Sequence, residues 1–500
     1  MNGRLLALLG NFRIRLLLAA LLGAVNVLAF APFDLVFIPV VVLPLFFFLL
    51  EGESPRRGAW LGFAFGFAWF AVGTHWLYIS LHDFGGVPVI LAIFLMLGLA
   101  AIMAGYYALF GWLLNRYWPA TDWRRYLLAA PALWTLIEWA RGWFLSGFPW
   151  FSMGYSQVDT WLVGYAPLGG VFLVSLAVVM LAAAIRVAVS ASPVLRAVAG
   201  LIVASVIFGG YLLQGVQWTE PTGETIRVAL VQGNVPQDEK WLPENRIPTM
   251  EKYWRLTEEV IDEADLIIWP EAAIPALYNQ VENTYFDQIE SELLRPGQRL
   301  ITGILTYDAE RRVYHNSAVV LGGEERRFYH KRHLVPFGEY FPVPDFVREW
   351  LRLMNLPYSD FEAGEGSNAL KVSDDLTVAM MICYEAVFGG EVADGADEAQ
   401  LLVNISNDGW FGDSIGPKQH FQIARMRSVE NGRPLLRITN TGISALVEPN
   451  GKVVNRLPGF DAVSSVAGTS PRHGGMNVSA WWAALALLLP AIFLRRKERQ

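Results

Sequence analysis

The chain is poor in cysteine, histidine and charge, and each shortage removes a class of chemistry. Cys383 is its one cysteine, so it has no intramolecular disulfide and no cysteine-based zinc cluster. Seven histidines supply a single close pair, His330 and His333, with no further ligand at a telling spacing, which argues against a metal site. Charged residues make up 17% of the 500, where a soluble chain carries about a quarter, and 54% are hydrophobic. The deficit is concentrated in the first two fifths, so the chain has two physical regimes. The one basic cluster of the polar part, residues 326–333, surrounds Lys331 and offers no extended basic face, so no nucleic-acid partner is expected.

What is present begins with apolar runs. Seven precede Gln214, near residues 16–31, 35–50, 59–79, 87–114, 126–144, 163–185 and 195–213, and an eighth covers 478–494. A helix needs about 20 mainly apolar residues to cross the hydrocarbon core, and helices are the expected form because backbone groups there find no water. The second run is the weakest, because Pro39 and Pro44 interrupt it. The first resembles a signal peptide ending at Ala29-Phe30-Ala31, but Pro32 follows at once, so it reads as a retained helix. Arg4, Arg13, Arg15, Arg56, Arg57, Arg116, Arg124, Arg125, Arg186, Arg196 and the tail from Arg495 alternate with loops that lack Lys and Arg. The positive-inside rule then places both termini in the cytoplasm and the long polar segment outside. Glu138 and Arg141 lie on one face of the fifth run, and His75 lies in the third. Glu138 and Arg141 read either as a helix-positioning ion pair, with Arg141 snorkelling to the surface, or as a grip on a lipid headgroup.

The polar segment, residues 222–468, has the size of an ordinary domain. Short β-rich runs cover Ile226–Gln232, 266–269, 300–305, 314–321, 327–331, 376–383, 401–405, Leu435–Thr439 and 443–447, with helical patterns near 247–264, 285–294 and 418–430. Several runs are nearly all apolar, as in strands buried on both faces, and the interleaving predicts a layered α/β domain. Three reactive side chains stand where such runs stop: Glu271 after Trp269-Pro270, Lys331 after Tyr329-His330, and Cys383 after Met381-Ile382. Ligands gather at the carboxyl ends of strands in α/β sheets. Taken singly, each has a plain structural reading, as a helix-end carboxylate, a solvated lysine and a small buried thiol.

Their local sequences decide otherwise. Ile268-Trp269-Pro270-Glu271-Ala272, then Tyr329-His330-Lys331-Arg332-His333-Leu334-Val335-Pro336-Phe337-Gly338-Glu339, then Ile382-Cys383-Tyr384-Glu385 resemble the Glu–Lys–Cys triad segments of the nitrilase (carbon–nitrogen hydrolase) superfamily, in the same order. Together with the apolar runs, Val231-Gln232-Gly233-Asn234-Val235-Pro236-Gln237 and Asn407-Asp408-Gly409-Trp410-Phe411 make the whole chain similar to the apolipoprotein N-acyltransferase family.

The resemblance implies a polytopic helical membrane domain over 1–213, an extracytoplasmic nitrilase-like α-β-β-α sandwich over 222–468 and a last spanning helix over 478–494, in the bacterial inner membrane. It implies Cys383 as nucleophile, Glu271 as proton carrier and Lys331 as oxyanion stabiliser, with Glu339, Trp241, Tyr384 and Glu385 in support. It implies a phospholipid donor, phosphatidylethanolamine through its sn-1 chain, a diacylated apolipoprotein acceptor, and no cofactor. An adjacent Lys331 is expected to favour the Cys383 thiolate. Residues 341–361, with Phe346, Trp350, Leu351, Leu353 and Met354, are expected to form with Trp410 and Phe411 a lipid-facing mouth that keeps water from the thioester. Two rival readings are a membrane-tethered amidase and a transporter with an outer binding module. The triad alone does not separate transferase from amidase, and the expected signs of a transporter, an inverted repeat or paired broken spans, are not evident in the sequence.

Overall fold

The computed structural model describes residues 10–120, 122–190, 192–340, 361–459, 461–473 and 481–497. It divides into two compact units. One holds Met1–Val216, Phe411–Gln422 and Met476–Gln500, the other Gln217–Trp410 and Ile423–Gly475.

The first unit is helical: Phe12–Asn26, Ile38–Leu50, Pro55–Gly73, Val89–Tyr117, Ala130–Arg141, Ala166–Ser190, Pro193–Gln214 and Trp481–Lys497. Local chemistry sets several helix starts. Ser54 and Ser192 each cap a helix whose first residue is proline, where a missing N–H costs nothing. Among the described residues, four helices are long and apolar enough to cross a membrane: Phe12–Ala29, Val89–Tyr117, Trp161–Val189 and Pro193–Gln214. The interrupted second run is a 13-residue helix with Pro39 in its first turn and Pro44 inside. Small residues let the Pro55–Gly73 and Val89–Tyr117 helices meet closely. Gly58, Gly62 and Gly66 recur every fourth residue, and a Cβ on any of them would collide with Gly111, Tyr107 or Ala104. Close approach at small residues is the usual packing device where lipid supplies no hydrophobic drive.

The expected ion pair between Glu138 and Arg141 does not form, and Arg141 does not snorkel, being fully buried like Glu138. Both fasten the same non-helical stretch instead. Arg141 donates to the carbonyls of Phe148 and Trp150 and to Ser152 Oγ, while Glu138 Oε1 accepts from Met153 N at 2.9 Å and Trp134 Nε1 at 2.7 Å. Backbone that leaves the helix has orphan groups to satisfy, and these side chains satisfy them. His75 lies past the end of its helix, exposed, with Nδ1 2.8 Å from Val72 O.

The second unit is built on two six-stranded sheets. The strands in chain order are β1 (Glu220–Pro221), β2 (Ile226–Gln232), β3 (Leu266–Ile268), β4 (Arg299–Asp308), β5 (Val313–Leu321), β6 (Arg327–His330), β7 (Ala369–Lys371), β8 (Thr377–Ile382), β9 (Leu401–Ser406), β10 (Leu435–Thr439), β11 (Ala445–Val447), β12 (Val453–Arg456), β13 (Val463–Thr469) and β14 (Arg472–His473). One sheet runs β13-β2-β3-β4-β5-β6 and the other β12-β11-β10-β9-β8-β7, while β1 pairs with β14. In each large sheet three parallel strands, β2-β3-β4 or β8-β9-β10, are flanked by antiparallel ones.

Alternation along the strands builds the layers. Val228, Leu230 and Ile268 meet Val378, Met380, Ile405 and Ile438 in a core shared by both sheets. Ala229, Val231 and Trp269 point the other way, onto Met250, Tyr253 and Leu256 of the Arg246–Glu258 helix. The helix Gly389–Ala396 packs on β8 of the second sheet. This is the expected α/β sandwich. The helical pattern at 285–294 is realised as an unbroken helical run over 282–293, mostly in wide π-type turns at Glu282–Phe286 and Ile289–Leu293.

Candidate active site

Glu271 is held by backbone on both sides. Trp269 N donates to Ile301 O at 2.8 Å, Gly303 N to Pro270 O at 3.1 Å and Ala273 N to Gly303 O at 3.1 Å, so the chain stays bonded to β4 after β3 ends. Gly303 makes this possible, because a Cβ there would lie 2.5–2.6 Å from Ala272 N and Glu271 Cα. Ala272 adopts a left-handed φ of 44°, which turns the chain away directly after the carboxylate.

Lys331 follows β6 and its N–H continues the ladder to Asn316 O at 2.7 Å. Its ammonium is 1% exposed and lies 2.9 Å from Glu339 Oε1 and 3.7 Å from Glu271 Oε1. Asn316 Nδ2 bridges the same carboxylates, donating to Glu271 Oε1 at 2.7 Å and Glu339 Oε1 at 3.0 Å. Glu339 Oε2 accepts from Val335 N at 2.8 Å, closing the loop that follows Lys331. Burial alone would depress the lysine, but Glu339, Glu271 and the neighbouring thiol hold it above its ordinary range, so it stays charged. Burial likewise lifts the Glu271 carboxyl above the usual glutamate range; Glu339 adds to this, while Lys331, Asn316 and Lys240 oppose it.

Cys383 sits after β8 at a φ of 52°, the first residue of a short turn over Cys383–Val387. A side chain at such a bend stands clear of the strand, and a non-glycine residue there bears some strain. Burial pushes its thiol up to about 12, with Glu271 adding to the effect and Lys331 and Ser406 opposing it. Lys331 pulls toward the thiolate, in the expected direction, but desolvation outweighs that pull.

Glu385 ties the lysine segment to the cysteine turn. Its Oε2 accepts from Ile382 N at 2.6 Å, and its Oε1 accepts from Tyr329 Oη at 2.7 Å, Arg332 N at 2.6 Å and His333 N at 3.2 Å. Burial raises this carboxyl as well, against the Ile382, Tyr329 and Arg332 donors and the charge of Lys331. The Tyr384 ring packs edge-on against Phe388 at 5.0 Å. Trp241 and Trp410 are both half-exposed, whereas Phe411 turns onto Trp76 at 4.5 Å within the helical unit. The proposed mouth residues Phe346, Trp350, Leu351, Leu353 and Met354 lie outside the described residues.

With that geometry in hand, sequence comparison speaks to the whole chain. The carbon-nitrogen hydrolase family profile matches residues 227–467, and that of the apolipoprotein N-acyltransferase N-terminal domain matches 22–184. A relative from Vibrio parahaemolyticus named apolipoprotein N-acyltransferase is 40% identical over 97% of this chain and 98% of its own. The chain belongs to the apolipoprotein N-acyltransferase family. Relatives of that name from Vibrio cholerae (39% identical, 96% of this chain and 97% of the relative) and Methylococcus capsulatus (38%, 97% and 96%) agree.

Four residues at the site of this family member escape a reading of motifs. Asn316 is the middle of three consecutive polar residues, His315-Asn316-Ser317, in β5, and the pairing of β5 with β6 brings it to Lys331. Gly303 carries no chemistry of its own. Ser406, at the end of β9, hydrogen-bonds the thiol and lies 3.0 Å from Asp408 Oδ1, whose other oxygen is paired with Arg437 at 2.8 Å. Lys240 precedes Trp241 and is almost fully buried, with its ammonium 3.2 Å from the Glu271 carbonyl. A lysine beside a tryptophan in a polar turn reads as solvated, and nothing in its spacing signals otherwise.

Proposed function

We propose that this chain completes lipoprotein maturation through a thioester on Cys383, taking an acyl chain from a phospholipid and delivering it to the α-amine of a diacylglyceryl-cysteine. N-acylation of apolipoproteins is the activity for which its relatives are named. The observation that carries the mechanism is the buried Lys331 ammonium, 2.9 Å from Glu339 and 3.7 Å from Glu271, acting electrostatically on the Cys383 thiol. A donor fixed in a dry site stabilises charge that appears only in the transition state, and one such donor is worth about 10²–10³ in rate.

The steps follow from the charges. A thiol raised to about 12 carries almost no thiolate at neutral pH, so its proton must leave as the sulfur attacks the ester carbonyl. Glu271 takes that proton. Lys331 and a backbone N–H near Tyr384 face the tetrahedral oxyanion, while Glu339 holds Lys331 in place. Glu271 returns the proton to the departing glycerol oxygen, leaving a thioester and a lysophospholipid. The acceptor amine then attacks the thioester, Glu271 removes its surplus proton and the thiol is restored. Glu385 binds the lysine segment to the cysteine turn and so fixes the separation of the two reacting groups. Trp241, Tyr384 and Trp410 offer aromatic faces to the lipid chains. Phosphatidylethanolamine, through its sn-1 chain, is the proposed donor.

The setting is the bacterial inner membrane, with eight spans, both termini in the cytoplasm and a catalytic domain over 222–468 on the far side. Trypsin applied to right-side-out vesicles should cut the polar segment and spare it in inverted ones; the reverse pattern would overturn this orientation. The transfer itself is tested by offering a diacylated lipopeptide to acyl-loaded enzyme. N-acylated lipopeptide formed faster than free fatty acid supports the transferase, while fatty acid alone marks the amidase alternative.

A further inference from the structure

Lys240 lies on the turn that follows β2, and the fold takes trouble to place it. Asn234 N donates to Asn440 O at 2.9 Å, Val235 N to Asn440 Oδ1 at 3.1 Å, and Asn440 Nδ2 returns a bond to Val235 O at 2.8 Å. Asn407 Nδ2 holds Gln237 Oε1 at 2.5 Å, and Lys240 N closes the turn on Pro236 O at 3.0 Å. The next residues, Trp241 and Leu242, are half-exposed, so the turn buries its lysine while presenting its apolar side chains. Among the described residues the one hydrogen bond of the Lys240 side chain goes to the Glu271 main-chain carbonyl. Its ammonium thus carries three donors into the interior and bonds one of them.

Burying an ammonium with so little compensation is costly. Desolvation drags Lys240 down to about 8, and the charge of Glu271 opposes this. Glu271 feels the reciprocal pull of Lys240, alongside the stronger one of Lys331 and the opposing charge of Glu339. Lys331 is already committed, because Glu339 holds it at 2.9 Å. Lys240 is a second cation, bonded to the Glu271 backbone, and Glu271 is the charge it interacts with.

We propose that Lys240 is a positioning residue of the acyl-transfer site, anchoring the Glu271 main chain and favouring the ionised carboxylate that receives the Cys383 proton. This rests on Glu271 being the proton carrier. The charge of Lys240 supports ionised Glu271 at neutral pH and below, so removing it moves the acidic limb of acylation upward. The turn also couples the base to the apolar rim, since Lys240 and Trp241 are adjacent in the chain.

The test compares the full-length wild type with Lys240→Met and Lys240→Gln, following hydroxylamine-labile acyl-enzyme formation from phosphatidylethanolamine vesicles between pH 5 and 9, with thermal unfolding as the check on folding. Gln keeps an N–H donor for the Glu271 carbonyl without the charge and carries the test if the Met variant does not fold. An acidic limb displaced upward by about one pH unit in the folded variants, with roughly tenfold slower acylation below the limb and near recovery above it, is the expected result. Rates that fall equally at every pH, or a limb that stays in place, would overturn the proposal. Glu271→Gln separates the two assignments. If that variant forms the acyl-enzyme normally the proton-carrier role itself fails, whereas an inactive Glu271→Gln beside an unshifted Lys240→Gln limb rejects Lys240 alone.

Discussion

The two units both bury carboxylates with cations and use them to opposite ends. In the helical unit Glu138 and Arg141 are one turn apart yet bond to backbone and neutral groups, each closing the orphan ends of residues 148–153. In the sandwich, Glu271 and Glu339 crowd one ammonium, with Asn316 bridging them and a thiol alongside. Charges that satisfy backbone hold a shape. Charges that converge on one another, with perturbed acidities, hold chemistry. Burial identifies neither; the identity of the partners does.

The contrast is most sharply broken at Lys331. Lys331→Met leaves two carboxylates facing each other without their cation, and acyl-enzyme formation should fall at least about 10³-fold, since both the proposed oxyanion donor and the charge balance go. Single-turnover acylation measures it, and a loss under tenfold in folded protein would put the lysine on the structural side of the comparison. Gly303→Ala should come next, near 10²-fold, because its Cβ must push the Glu271 backbone by a fraction of an ångström. Its melting temperature should change less than that of a core truncation, and normal acylation kinetics would show that Glu271 tolerates displacement.

The pH dependence of acylation sharpens the same comparison. As the proposed proton carrier, Glu271 must be ionised to accept a proton, and burial raises its carboxyl above the usual range of about 4.3. Acylation is therefore lost as pH falls through that raised value, and the acidic limb of kcat/KM should lie clearly above an ordinary glutamate limb. A limb at or below about 4 would contradict the burial argument. The smallest catalytic effect belongs to Arg141→Met. It strands buried carbonyls at Phe148 and Trp150, each costing about 1–3 kcal/mol, so detergent-solubilised protein should melt several degrees lower. Acylation per folded molecule should remain near wild type, and a selective kinetic loss would instead revive a substrate role for the pair.

These effects also mark what the amino-acid sequence made legible. Strands such as Ile226–Gln232 and Leu435–Thr439 were readable to the residue, because a short, mainly apolar run between turn signals has few other solutions. The positions of Glu271, Lys331 and Cys383 at strand ends were equally plain. Edge strands β7, β12 and β13 were not, since half-exposed sequences such as Val453–Arg456 carry mixed polarity and take their form from a neighbour. The same limit hid Asn316, Gly303 and Lys240, whose roles arise from what another strand or turn brings beside them. The Arg141 contacts were hidden for a related reason: helical spacing places Glu138 beside it but says nothing of the backbone that returns to both.

Intact-mass spectrometry of the purified protein after exposure to phosphatidylethanolamine tests the central claim most directly. A mass gain of one acyl chain, released by hydroxylamine and absent from Cys383→Ala, is the expected result. An unmodified wild-type mass in folded enzyme that still N-acylates a lipopeptide would contradict the covalent route and remove Cys383 from the centre of the mechanism.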